Sequence, residues 1–138
     1  MEVEIKVHQN ARDFLDSVGK TLYASESENS LILGISERLV KFHGAYENPF
    51  FASIATDSGG LVLAAVMTPP HNLILAGGDD FYQGLPVLFS FLEENNIDLP
   101  GLIGPEGIVD RFVNLWLSKY QIELKSTMRQ RIYELRAV

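Results

Sequence analysis

One stretch that could do chemistry is Ala76-Gly77-Gly78-Asp79-Asp80-Phe81-Tyr82-Gln83-Gly84, set between a short apolar run and a helical pattern. Glycines ahead of a helix let backbone come close to a ligand, and the amides at a helix start attract an anion such as a phosphate. Gly77 and Gly78 could form such an anion nest, with Gly84 a third glycine at the helix start. Asp79 and Asp80 oppose that use, because a carboxylate beside a bound anion repels it by about 1 kcal/mol or more, depending on exposure. Pro86 removes a further donor. The segment therefore reads as a turn with a helix cap in preference to a phosphate loop.

Other chemistry-bearing residues are scattered. Gly104-Pro105-Glu106-Gly107 could point backbone donors at a ligand, but proline at a first helical position and a glutamate near the positive end of the helix dipole also describe an ordinary strand-to-helix turn. His8 falls at a strand end, His43 at a helix end and His71 in a proline-rich turn; no two share the spacing of metal ligands on one helix face. A structural or solvent-facing role is expected for each. Asp79-Asp80 and Glu93-Glu94 are adjacent carboxylates, which diverge on a helix. There is no Gly-x-Ser-x-Gly elbow, and with no cysteine there is no thiolate metal site, disulfide or cysteine nucleophile.

The elements that must carry these residues follow from periodicity. Val3, Ile5 and Val7 alternate with Glu2, Glu4 and Lys6, as in a strand with one face buried. Asn10 caps a helix whose apolar stripe is Ala11, Phe14, Leu15, Val18 and Leu22, with Asp13 completing a box-like start. A second helix is expected from Ser25 or Ser27, burying Leu31, Ile35, Leu39 and Phe42; a close helix contact is one explanation for Gly34 inside it, which the sequence does not decide. Phe50 to Thr56 and Leu61 to Thr68 form a hairpin around Asp57-Ser58-Gly59-Gly60. Asn72 to Ala76 gives a third strand of the meander. A helix follows from near Gly84, with Leu85, Leu88, Phe89 and Leu92 inward. Leu99 to Gly104 is a short strand, and Pro105 opens a helix striped by Ile108, Phe112, Leu115 and Trp116. Gln121 to Leu135 alternates as a long strand, with a phase shift near Ile132 and Tyr133 that suggests a bulge. The order β-α-α-β-β-β-α-β-α-β predicts an α+β fold: one mixed, mostly antiparallel sheet flanked by helices, in a single domain over residues 1–138.

Composition narrows the partners. The 138 residues carry 18 acidic and 11 basic side chains, for a formal net charge of -7. A nucleic-acid surface needs a basic stripe. The one basic cluster, Lys125, Arg129, Arg131 and Arg136, is interleaved with Glu123 and Glu134 and reads as a solvated strand face, so no nucleic acid is expected. No apolar run is long enough to span a bilayer, and Met1 to Val7 alternates charge with apolar residues, unlike a signal peptide; no membrane and a cytoplasmic location are expected.

Asn48-Pro49-Phe50-Phe51 entering a strand, Ala64-Ala65-Val66-Met67-Thr68-Pro69-Pro70-His71-Asn72-Leu73, Leu99-Pro100-Gly101-Leu102-Ile103-Gly104-Pro105-Glu106 before an aromatic-rich helix, and Met128-Arg129-Gln130-Arg131-Ile132-Tyr133-Glu134-Leu135 form a set spread over nearly the whole chain. Together with the element order, they resemble the N-terminal, degenerate GNAT-like domain of bacterial two-domain GNAT-type N-acetyltransferases. That resemblance implies a second, catalytic GNAT domain carrying the acetyl-CoA site, and Val138 falls where it would begin. The family's pyrophosphate loop, Gln or Arg, two residues, Gly, one residue, Gly or Ala, would fall at Ala76 to Gly84, which does not match it. The resemblance therefore implies a non-catalytic domain with no cofactor of its own, packed on a catalytic partner domain and helping to shape the acceptor site. Two alternatives stay open. One is a stand-alone acetyl-CoA-dependent N-acetyltransferase with a divergent phosphate loop, whose general base the sequence does not nominate. The other is a binding or dimerisation module, with self-association into a homodimer through an apolar patch.

Overall fold

Strand β1 (Val3–His8) forms one edge of a sheet in a computed structural model that describes residues 2–118, except His43, Glu47 and Asp79, and the backbone of residues 131–134. Helix α1 (Ala11–Tyr23) follows, and Asn10 Oδ1 accepts from the Asp13 amide at 2.9 Å. Ala11, Phe14, Val18 and Leu22 are buried as their spacing predicts.

Helix α2 departs from expectation. It spans Ser30–Lys41, and residues 24–28 instead turn back against the end of α1. The Ser25 amide donates to the Leu22 carbonyl, and the Asn29 side-chain amide donates to the same carbonyl at 2.9 Å, so Asn29 closes the turn instead of continuing a helix. The buried face is Ile32, Leu33, Ser36 and Leu39; Leu31 and Phe42 point outward, and Phe42 is 61% exposed. A serine on the inward stripe hid this phase. Ser36 Oγ donates to the Ile32 carbonyl at 2.7 Å, which satisfies the hydroxyl without a partner from the sheet. Gly34 has open space around it, so no close helix contact explains it.

The meander is β2 (Phe50–Thr56), β3 (Leu61–Met67) and β4 (Leu73–Gly77). Gly59, at φ 91, supplies the left-handed turn conformation between β2 and β3. Ile54 pairs with Leu63 but Ala55 pairs with Leu61, so Val62 is an extra residue in β3. This bulge turns Val62 and Leu63 to the same face. After a 3₁₀ turn (Phe81–Gln83), α3 (Leu85–Glu94) crosses to β5 (Gly101–Gly104), which pairs parallel with β4. Helix α4 (Glu106–Leu117) and β6 (Arg131–Glu134) complete the order, and the strands lie across the sheet as β1-β2-β3-β4-β5-β6. The register of β5 with β6 runs unbroken through Ile132 and Tyr133, so no bulge sits there. Residues 121–130 and Leu135 of the expected last strand, and the side chains of the basic cluster, lie outside the described residues.

The fold is therefore α+β, a mixed, mostly antiparallel sheet with helices on both faces. Phe51, Ala64, Val66, Ile74 and Ala76 pack under α1 and α2, while Ile54, Leu63, Ala65, Met67, Leu73 and Leu75 pack under α3 and α4. Trp116 packs against the second core beside Phe89 and Phe112, with ring centroids 5.8 and 6.3 Å away. Among the described residues, no helix is long and apolar enough to cross a membrane.

Candidate functional site

A concave part of the surface lies at the ends of the parallel pair β4 and β5. Ladder pairing covers Leu73↔Leu102 and Ile74↔Ile103 and stops before either strand ends. Beyond it, β4 continues along β3 to Gly77 while β5 turns at Pro105 into α4. A cleft of about 540 Å³ opens at these carboxyl ends. Its floor is Gly77, Gly78 and Phe81 from the loop after β4, with Pro105, Gly107 and Ile108 from the start of α4. Thr21, Leu22, Ser25, Glu28 and Asn29, from the end of α1 and the turn that follows, complete the lining with Leu61.

The three glycines singled out from sequence have different roles. Gly77 and Gly78 both line the cleft; Gly84 does not. A Cβ at Gly77 would lie 2.8 Å from the Val62 carbonyl oxygen, so close backbone approach excludes any side chain there. Gly78 has open space around it. Gly84, at the start of α3, is buried against the sheet, where a Cβ would meet Ile54, Leu63 and Val62 at 3.2 to 3.3 Å. It is a packing glycine that seats the start of α3 on the β3 bulge.

The turn between them uses its own donors. The Phe81 amide donates to Gly78 O at 3.2 Å, Gln83 to Asp80 O at 3.0 Å and Gly84 to Phe81 O at 3.0 Å. Pro86, in the first turn of α3, has no N–H to offer. Among the described residues no side-chain cap is made: Asp80, ahead of the 3₁₀ turn, forms no capping bond, Gly84 ahead of α3 has no side chain to cap with, and the 3₁₀ turn itself leads into the helix. Asp79 lies outside the described residues.

No family model, curated protein or solved structure matches the chain.

The cleft's chemistry must then speak for itself. Of its charged lining, the structure places a carboxylate, Glu28, and neither lysine nor arginine among the described residues. The Gly104 to Gly107 segment is the strand-to-helix turn its composition suggests, but its Pro105 and Gly107 also line the cleft. The wall from Thr21 to Asn29 went unnoticed in the sequence because the run from Ser25 to Ser30 is equally a polar turn and a helix start.

The histidines lie elsewhere. His8 Nε2 is 2.8 Å from Ser53 Oγ, and the imidazole meets the Phe14 ring edge-on at 5.6 Å. Burial, aided by Lys6 and opposed by Asp13, lowers the His8 pKa from its usual value. Histidine beside serine is a base beside a nucleophile in other settings. Here Ser53 is 6% exposed in mid-β2, so its hydroxyl is closed to a substrate and the bond ties β1 to β2. His71 meets Tyr46 edge-on at 5.7 Å in the turn before β4, and His43 lies outside the described residues. No group of three or more His, Asp or Glu able to hold a metal occurs among the described residues.

Proposed function

We propose that this chain is the non-catalytic, N-terminal GNAT-like domain of an N-acetyltransferase, packing on a catalytic acetyl-CoA-binding domain and helping to shape its acceptor site. The observation that supports it is the composition of the β4–β5 cleft. Ligands of open sheets containing parallel strands bind outside the carboxyl ends of those strands, and the cleft has that position. Yet among the described residues a diphosphate placed there meets Glu28 and no lysine or arginine, and the neighbouring turn spends the amides of Phe81, Gln83 and Gly84 on itself. Anion sites at helix starts need those donors free. On this reading the cleft serves as scaffold and the cofactor belongs to the partner domain. A cytoplasmic location goes with this reading.

A second reading is a stand-alone acetyl-CoA-dependent enzyme. The cleft volume of about 540 Å³ favours it, being that of a small-molecule site. Titration calorimetry with acetyl-CoA separates the two. The accessory reading expects no saturable heat up to about 1 mM, whereas a micromolar constant overturns it, since that affinity represents about 8 kcal/mol of binding. Reading the gene past Val138 tests the partner: the pattern Gln/Arg-x-x-Gly-x-Gly/Ala is expected within about one domain length of roughly 150 residues.

A further inference from the structure

The β1 edge of the sheet suggests a partner of its own. Strand β1 pairs with β2 from Val3↔Thr56 to His8↔Phe51 and stands at the end of the strand order, with no described strand on its other side. Such an edge presents a row of N–H and C=O groups to any chain that can pair with it.

We propose that β1 is a self-complementary edge on which a second copy of this chain docks, strand antiparallel to strand, about a two-fold axis through Ile5. The sequence Glu2-Val3-Glu4-Ile5-Lys6-Val7-His8 is charge-complementary to itself in that register. Glu4 falls opposite Lys6 of the second copy, and Lys6 opposite its Glu4, on the face where both side chains are exposed. On the other face, Val7, 45% exposed, falls against the second copy's half-buried Val3. Moving the axis to Glu4 keeps two glutamate–lysine pairs, Glu2 with Lys6, but sets Glu4 against Glu4 at the centre, and moving it to Lys6 sets lysine against lysine and leaves no glutamate–lysine pair. A shift of one residue in pairing sets charged positions against apolar ones. Directly opposed residues occur in both the hydrogen-bonded and the non-hydrogen-bonded pairs of an antiparallel ladder, so the axis through Ile5 works whichever backbone groups face outward. The surface lies away from the β4–β5 cleft and does not depend on the proposed function.

Sedimentation of the full 138-residue chain, from about 1 µM to about 1 mM in about 0.15 M salt, tests the pairing. A concentration-dependent dimer is expected. Glu4→Lys and Lys6→Glu each place like charges opposite one another in the homodimer, and each is expected to weaken it about tenfold or more. An equimolar mixture of the two variants restores opposite charges in every pair, so a heterodimer at wild-type affinity is expected. A wild-type chain that stays monomeric to about 1 mM overturns the proposal. So does a dimer indifferent to both reversals, or a mixture that fails to recover. Because both side chains are exposed, matching circular dichroism melts will show that the variants fold.

Discussion

Gly104 lies so close to Leu75 that a Cβ there would sit 2.7 Å from the Leu75 carbonyl oxygen. The two parallel strands are thus at backbone contact where they part, and the cleft starts immediately beyond.

Glycine substitutions should therefore sort by local space. Gly104→Ala and Gly77→Ala each push a methyl group into backbone and should cost about 1–3 kcal/mol. Gly78→Ala, with nothing within 4 Å, should stay within about 0.5 kcal/mol of the parent. Urea midpoints at constant slope will measure the difference.

Gly34 offers the opposite case. It is exposed inside α2 at ordinary helical φ, with no neighbour for a Cβ to strike. Gly34→Ala should raise stability by about 0.5–1 kcal/mol through helix propensity and a less flexible unfolded chain. An unchanged or lower midpoint would contradict this reading of α2.

The burial of His8 should make stability pH-dependent. Burial lowers the folded pKa of His8, so the unfolded chain binds the extra proton first as pH falls. The contribution is complete above the ordinary histidine pKa of about 6.5 and is lost as pH drops through the lower folded value. Thermal melts of the parent should therefore fall more steeply below about pH 6.5 than those of His8→Gln. Ser53→Ala should cost about 1 kcal/mol at neutral pH by removing the buried partner.

Acetyl-CoA at about 1 mM should leave the melting temperature unchanged, because a site with a dissociation constant of about 10 µM would add about 2.7 kcal/mol. A clear upward shift would return the cleft to the catalytic reading.

The element order was readable because the strand and helix periods alternate cleanly, and β2 and the α1 cap fell where expected. The phase of α2 was hidden by Ser36, whose hydroxyl bonds within its own helix and so can sit inward. The bulge at Val62 was invisible because Leu61 to Met67 is apolar throughout and carries no alternation to break. The cleft was half legible. Gly77 and Gly78 announced one wall, but the residues facing them come from a turn far away in sequence, and no local pattern records that meeting.

Strand β3 has a consequence for handling the protein. Leu61-Val62-Leu63-Ala64-Ala65-Val66-Met67 has no charge, no proline and no glycine, and both its faces are covered in the folded chain. An uninterrupted apolar segment of this kind is a seed for amyloid-type stacking whenever it is bared. Each helical layer thus doubles as a shield, and a truncation that strips either one invites precipitation well before it reveals anything about activity.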